Sequence, residues 1–161
     1  VRITADMPYV SKEITEALLK SHFETGADYT RSIQNAVGTA PEIINVAALK
    51  KVKKYFPRAD YSEYMTFYFM NNPDYFRINE IELPKEMVRD YRLTLDYQED
   101  LDLFNAIESY LQKNKLEPSL KNVFGYLDAN PDVTKINSHI TLKYKTDQEL
   151  IKKLNEVTTI V

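Results

Sequence analysis

The chain contains 161 residues, of which 43% are hydrophobic and 28% are charged, a composition typical of a globular protein with one compact core. No apolar stretch approaches the roughly 18 to 20 residues needed to cross a bilayer, so we expect no membrane insertion. The net charge of -3, without a clustered basic stripe, argues against a nucleic-acid partner. The absence of cysteine excludes disulfides and thiolate catalysis, and it fits a cytoplasmic location.

The chain opens with a predicted strand, turn and helix. Residues 1–5 of VRITADMPYV alternate apolar and polar side chains, and the strand that they predict ends at Asp6. Pro8 predicts a turn, while Ser11 and Gly26 are a suitable N-cap and C-cap for the helix between them. The apolar stripe of this helix is expected to consist of Ile14, Leu18, Leu19 and Phe23.

The middle of the chain predicts a second strand and two further helices. The strand lies around residues 27–30, and one helix runs from about Asn45 to a stop at Pro57. The other helix, over residues 61–71, is dense in aromatic side chains, which we interpret as core packing in preference to a ligand-stacking surface. The residues expected to face inward from the first of these helices are Val46, Leu49, Val52 and Phe56.

The opening pattern of strand, aspartate and helix recurs near residue 96. After a predicted strand over residues 76–83, the segment YRLTLD places Leu93 and Leu95 on one face of another strand, which ends at Asp96. The helix that follows is expected to turn inward Leu101, Phe104, Ile107 and Leu111.

We expect the chain to divide near residue 113. Residues 1–113 interleave strands and helices, whereas residues 114–161 look like a helical appendix packed on them. Ser119 predicts the start of one appendix helix, and Thr146 with Glu149 predicts a capping box at the start of the last. Between these helices, HITLKYK alternates apolar and polar residues and predicts an edge strand.

Strands interleaved with helices predict an α/β fold with a mixed, mostly parallel sheet and flanking helices. In such sheets ligands bind outside the carboxyl ends of the strands, which is where Asp6 and Asp96 are expected. Two neighbouring carboxylates suit Mg²⁺, a hard cation that binds carboxylate and phosphate oxygens. On the pattern alone, turn formation and helix capping remain alternatives for both aspartates.

Three segments resemble motifs of a known enzyme family. VRITADMPYVS resembles "VRxTGDCPLID", EYMTFYFMNNPDYFRI resembles "EHVTPYIYxNPxxFxI", and YRLTLDYQEDLDLFNAI resembles "LRWTVDTPEDLELIxxI". These motifs are typical of the cytidylyltransferases related to the spore-coat polysaccharide biosynthesis enzyme and, more distantly, of the synthetases of CMP-activated sugar acids. Because their order and spacing match over residues 1–111, the chain resembles the carboxyl-terminal portion of that family's domain.

The resemblance implies a Rossmann-like nucleotide-diphospho-sugar transferase fold, with residues 1–113 as the carboxyl-terminal part of the nucleotidyltransferase domain. It also implies a parent enzyme that transfers CMP from CTP to a sugar or sugar acid for surface polysaccharide biosynthesis. Asp6 and Asp96 match the family's magnesium ligands. Glu42 and Tyr64 match positions expected to contact the substrate, although Tyr64 replaces the family's histidine and would donate its hydrogen bond from a phenol.

The sequence also departs from the family's pattern. Ala5 and Met7 replace the glycine and cysteine that flank the first aspartate, and Tyr97 and Gln98 replace the Thr-Pro before the following helix, which makes Asp96 a candidate helix cap as well. The glycine-rich loop with which the family grips the triphosphate and recognises cytosine has no counterpart, and the chain starts with valine inside a predicted strand. We therefore expect a fragment that does not turn over by itself.

Two other functions remain open on the sequence. One is a non-catalytic interaction or oligomerisation module built on the tyrosine-rich helices. The other is nucleotidyl transfer from a different nucleoside triphosphate, because base selection resides mostly in the missing loop. We also expect a homodimer, since a truncated sheet exposes strand edges and the aromatic stretch 61–69 offers a contact surface.

Overall fold

The structure, a computed structural model, describes every residue from Val1 to Val161. Eight α-helices surround one small sheet. The helices are α1 (Lys12–Thr25), α2 (Val46–Tyr55), α3 (Met65–Met70), α4 (Gln98–Asn114), α5 (Leu120–Ala129), α6 (Pro131–Thr134), α7 (Lys143–Thr146) and α8 (Gln148–Thr158). The strands are β1 (Tyr29–Ser32), β2 (Ile43–Ile44) and β3 (Ile78–Ile81), and short 3-10 helices cover Ser62–Tyr64 and Lys85–Met87.

The sheet is mixed, with β1 in the centre and the order β2-β1-β3. β1 runs antiparallel to β2, where Thr30 pairs with Ile43, and parallel to β3, where Thr30 pairs with Asn79. A mixed sheet with helices around it confirms the predicted α/β class.

Residues 1–5 and 91–96 are not strands of this sheet, contrary to the prediction. Each segment makes a single isolated bridge, Arg2 with Glu42 and Arg92 with Val37. The two segments instead meet each other, because the Leu95 amide donates to the Asp6 carbonyl over 2.9 Å. The alternation of apolar and polar residues in these segments therefore indicated an extended backbone. The segments do not form the continuous pairing with neighbouring strands that the prediction assumed.

The caps of α1 lie where the sequence predicts them. The Ser11 hydroxyl accepts a hydrogen bond from the Ile14 amide over 3.2 Å and so satisfies one of the free amides of the first turn. Gly26 ends the helix in the left-handed conformation, with φ of 60°. The amphipathic stretch between these caps thus starts and stops on local signals.

Three side chains predicted to face inward are exposed. Phe23 in α1 is 77% exposed, Val46 at the start of α2 is 65% exposed, and Leu101 in α4 is 40% exposed. In α1 the inner row follows a spacing of four residues and consists of Ile14, Leu18 and His22. His22 is therefore buried, whereas the sequence pattern predicted that its neighbour Phe23 would face inward.

Two predictions in the carboxyl-terminal region are wrong and one is confirmed. Ser119 caps α5 by accepting from the Asn122 amide, as predicted. The cap of α8 is Asp147 rather than Thr146, because the Asp147 carboxylate accepts from the first amides of that helix. HITLKYK forms no strand: the Lys145 and Asp147 amides bond to carbonyls within the segment, and its second half becomes α7.

Two apolar clusters hold the chain together. The larger contains fifteen buried residues from α1, α4, α5 and the segments between, among them Ile14, Ile107 and Leu127. The smaller packs α2 and α3 against the sheet and contains Tyr29, Ala48, Val52, Tyr68, Phe69 and Phe76. Burial of Tyr68 and Phe69 confirms core packing as the role of part of the aromatic stretch. None of the helices combines the length and apolar character that crossing a bilayer requires.

Candidate active site

All four residues singled out by the sequence line one open cleft of about 860 Å³. Asp6, Glu42, Tyr64 and Asp96 come from separate parts of the chain, so the fold brings them together. The remaining walls come from β1, the 35–42 loop, the 92–97 segment and residues 141–145 of the appendix.

Asp6 is held beside the 92–96 segment through its side chain and its backbone. The Thr94 hydroxyl donates to the Asp6 carboxylate over 2.7 Å, and the Leu95 amide donates to the Asp6 carbonyl. Partial burial by itself would raise the pKa of Asp6, but hydrogen bonds from the Thr4 and Thr94 hydroxyls outweigh it and leave that pKa below its ordinary value. The carboxylate is therefore ionised at neutral pH.

Asp96 is half exposed in the cleft and is oriented by Arg92. The Arg92 guanidinium donates to one carboxylate oxygen of Asp96 over 2.6 Å. Asp96 does not cap the following helix: its amide and that of Tyr97 both donate to the Asp100 carboxylate, over 3.0 and 3.1 Å. Because Asp100 satisfies these amides, the Asp96 side chain is left to face the cleft.

A buried ion pair between Arg92 and Asp100 holds Asp96 in this orientation. Asp100 is fully buried and receives two hydrogen bonds from Arg92, at 2.8 and 2.9 Å. The Asn137 amide adds hydrogen bonds to the Asp100 carboxylate and to the Arg92 carbonyl, at 2.9 and 3.0 Å. Burial would raise the pKa of Asp100, but these donors outweigh it and lower that pKa, so the pair is charged inside the fold.

Glu42 sits between β1 and α3 and collects three donors. Arg2 forms a salt bridge with one of its carboxylate oxygens, and the Tyr29 and Thr66 hydroxyls donate to the other. Burial of Tyr29, together with the adjacent Glu42 carboxylate, raises the pKa of that phenol and keeps it a donor. Glu42 is thus a fixed acidic wall of the cleft.

Tyr64 meets a residue of the appendix across the cleft. Its ring packs edge-to-face against Tyr144 of α7, with ring centroids 6.2 Å apart. Burial, followed by the negative charge of Glu42, raises the pKa of Tyr144, so its hydroxyl is protonated at neutral pH. The appendix therefore forms part of the cleft wall.

The residues present fit a magnesium ion that is held partly by other ligands. No group of three or more acidic, histidine or cysteine side chains forms a complete cage anywhere in the chain. Asp6 and Asp96 nonetheless present oxygen ligands to one cleft, and the half-exposed Asp96 side chain is accessible to an ion. Mg²⁺ commonly binds through one or two carboxylates together with water and substrate phosphates.

Sequence reasoning missed Arg92, Asp100 and Asn137. Arg92 lies four residues before Asp96, and Asp100 lies four residues after it. Charged residues at this spacing around a candidate ligand could have indicated partners that orient it. Asn137 gave no sequence signal, because it lies 37 positions after Asp100 and only the fold brings it to the ion pair.

Sequence comparison matches the chain to a family model and to two relatives. A family model described as cytidylyltransferase matches residues 1–124. The spore coat polysaccharide biosynthesis protein SpsF of Bacillus subtilis is 31% identical over 136 residues, 82% of this chain and 55% of that protein. An uncharacterized protein of Methanocaldococcus jannaschii is 30% identical over 148 residues, 89% of this chain and 58% of that protein.

A solved structure shares the fold. The cytidylyltransferase from Leptospira borgpetersenii superposes with a TM-score of 0.68 at 21% identity, over 85% of this chain and 57% of that one. The chain thus spans a little over half the length of each of these relatives. The match over residues 1–124 and the shared fold establish that the chain belongs to the cytidylyltransferase family.

Proposed function

We propose that this sequence supplies the metal-binding and acceptor-binding part of a magnesium-dependent cytidylyltransferase. The enzyme would transfer CMP from CTP to a sugar or sugar acid for surface polysaccharide biosynthesis. The observation that carries the proposal is the convergence of Asp6 and Asp96 on one cleft in a member of this family. The related SpsF, whose name places it in spore coat polysaccharide biosynthesis, supports the pathway class.

In this reaction an acceptor hydroxyl attacks the α-phosphorus of CTP, and the bond to pyrophosphate breaks. Mg²⁺, when bound, neutralises the negative charge that develops on the phosphates. Asp6 and Asp96 would hold the ion, and both carboxylates are suited to this because their neighbours leave them ionised or exposed. Arg92 fixes the orientation of Asp96, while Glu42 and Tyr64 would contact the acceptor's hydroxyl groups.

The experiment uses the protein at the length that its gene encodes. Asp6→Asn and Asp96→Asn should each lower pyrophosphate release from CTP by a hundredfold or more, because each removes a charged ligand of the ion. Asp102→Asn, on the exposed face of α4 outside the cleft, is the control and should keep wild-type activity. Full activity of both cleft variants would contradict the proposal.

The 161-residue chain itself should release no more than stoichiometric pyrophosphate from CTP with magnesium and candidate sugar acids, because the glycine-rich loop motif is absent from it. Catalytic turnover by this chain would contradict that expectation. Comparing the thermal shift produced by CTP with that of UTP or GTP on the native-length protein identifies the nucleotide.

We further propose a homodimer and a cytoplasmic location. The sheet ends in two edge strands, β2 and β3, and strand edges can pair with a second copy of the chain. The absence of cysteine fits a reducing compartment. Sedimentation at concentrations up to the millimolar range tests the first, and a single monomeric species throughout would contradict it. Cell fractionation tests the second.

A further inference from the structure

Residues 138–147 form a strap that connects two anchored parts of the chain, Asn137 and α8. At one end the buried Asn137 side chain bonds to Asp100 and to the Arg92 carbonyl. After the strap, the carboxyl-terminal end of α8 is tied to the region after α3, where the Asn72 side-chain amide donates to the Thr158 carbonyl over 2.6 Å. The path between these anchors crosses the cleft, since residues 141–145 line it.

Two lysines of the strap lack partners among the acidic side chains. The other cations that line the cleft each form a salt bridge, Arg2 with Glu42, Arg31 with Glu80, and Arg92 with Asp96 and Asp100. Lys143 and Lys145 line the same cleft, and neither has a carboxylate within 4.0 Å. Their charges are therefore available to a ligand.

The tyrosine between them places these lysines at the acceptor side of the cleft. Tyr144 packs against Tyr64. Among the charged residues that act on its hydroxyl, Glu42 has the largest effect, and Asp96 on the metal side has a smaller one. Glu42 and Tyr64 are the residues that we assign to the acceptor, whereas Asp6 and Asp96 are assigned to the ion. The strap's cations thus adjoin the acceptor residues.

We propose that Lys143 and Lys145 bind an anionic group of the acceptor, a carboxylate or a phosphate, and that they select charged sugars over neutral ones. This rests on the proposed function of the cleft and deepens it. An ammonium paired with an anionic group forms strong, charge-assisted hydrogen bonds. Binding energy from a group remote from the reacting hydroxyl also positions that hydroxyl for attack.

The test is an equilibrium titration of the isotope-labelled 161-residue chain, followed by NMR. The probes are glucuronate, glucose 1-phosphate, neutral glucose and inorganic pyrophosphate. Glucuronate or glucose 1-phosphate should shift the resonances of residues 141–145 and of Tyr64, and whichever binds identifies the anionic group. Glucose should bind at least tenfold more weakly, since it lacks the charge.

Variants connect the binding to the lysines. Lys143→Gln with Lys145→Gln should weaken binding of the charged sugar at least tenfold, and Lys143→Arg with Lys145→Arg should restore it. Lys152→Gln with Lys153→Gln, on exposed positions of α8 outside the cleft, controls for net charge and should bind as the wild type does.

Three results would overturn the inference: no binding of either charged sugar, binding that survives in the glutamine variant, or lysine-dependent binding of pyrophosphate alone. This readout needs no turnover. Absent nucleotidyl transfer in the native-length enzyme would therefore refute the proposed function while leaving lysine-dependent sugar binding intact, and the reverse result would refute only the role of the strap.

Discussion

At the scale of single residues, the ion pair between Arg92 and Asp100 determines where the candidate metal ligand Asp96 points. A buried ion pair adds little net stability when intact, because desolvation of both charges offsets their attraction. Removing one partner is different, since it leaves the other charge buried without compensation. The main role of the pair is therefore to position Asp96, and removing one of its members would destabilise the fold.

Asp100→Ala should lower the free energy of unfolding by about 3 to 5 kcal/mol, because it leaves the buried Arg92 guanidinium with only the half-exposed Asp96 as a partner and removes the acceptor of the Asp96 and Tyr97 amides. Urea unfolding followed by far-UV circular dichroism measures the change. Asp102→Ala, on the exposed side of the same helix, should change stability by less than about 0.5 kcal/mol. Equal effects of the two substitutions would show that the buried pair has no special role.

The same carboxylate predicts how stability depends on pH. The pKa of Asp100 is lower in the folded chain than the value of about 3.9 expected when unfolded, so the unfolded chain binds the proton more tightly. The stability that Asp100 contributes is fully present above its unfolded-state pKa. That stability is lost as the pH falls through the folded-state pKa.

We therefore expect the free energy of unfolding to fall as pH drops below about 4, and to fall less steeply in Asp100→Asn. Urea titrations between pH 7 and pH 3 measure both slopes. The Asp6, Glu13 and Asp128 carboxyls, whose pKa values are also lowered, are common to both proteins and cancel in the comparison. Parallel slopes would contradict the assignment to Asp100.

The meeting of Asp6 and Asp96 in one cleft could be predicted from the sequence, although the reasoning behind that prediction was partly wrong. Asp6 and Asp96 were expected at one edge of a parallel sheet, and they do line one cleft, but their segments are not strands of the sheet. Hydrogen bonds between the segments, through Thr94 and Leu95, replace the expected ladder. Such contacts form only when the fold brings two distant segments together, and no local sequence pattern predicts that.

At the scale of elements, Gly38 allows the 35–42 loop to approach the 92–96 segment. Its φ is 86°, and a Cβ atom there would lie 2.0 Å from the Leu93 carbonyl oxygen. The neighbouring Val37 exchanges backbone hydrogen bonds with Tyr91 and Leu93. This close approach therefore supports the segment that carries Asp96.

Gly38→Ala should lower the free energy of unfolding by about 2 kcal/mol or more, through the clash and the left-handed backbone. Gly125→Ala is the matched control in α5, where an added Cβ meets nothing within 4 Å, and it should raise stability by about 0.5 to 1 kcal/mol. Thermal or urea unfolding of both variants measures whether each substitution lowers or raises the free energy of unfolding. A neutral Gly38→Ala would mean that the two segments can separate without cost.

Helices were predicted more reliably than strands because their signals are local. Ser11 and Ser119 cap the helices that the sequence assigned to them, and the helix expected from about Asn45 begins at Val46. HITLKYK failed as a strand because alternation alone does not supply a neighbouring strand to pair with. Its backbone groups are satisfied by a turn of helix instead.

At the scale of the whole molecule, the larger apolar cluster crosses the predicted boundary at residue 113. Ile14 and Leu18 of α1 and Ile107 of α4 share this cluster with Val123 and Leu127 of α5. The division into residues 1–113 and 114–161 stays a prediction, but the appendix and the rest of the chain bury one continuous core. Asn137 and Asn72 add polar links between them.

This continuity predicts that the chain unfolds in one cooperative transition. Separating α5 from α1 and α4 would expose the buried side chains of both parts, at about 25 cal/mol for each Å² of apolar surface, so neither part can open while the other persists. Tyrosine fluorescence and far-UV circular dichroism should give coincident urea curves, and a probe placed on the exposed face of α8 should report the same midpoint. Two separated midpoints would show an appendix that folds independently, and the strap across the cleft would then be free to detach from a folded active site.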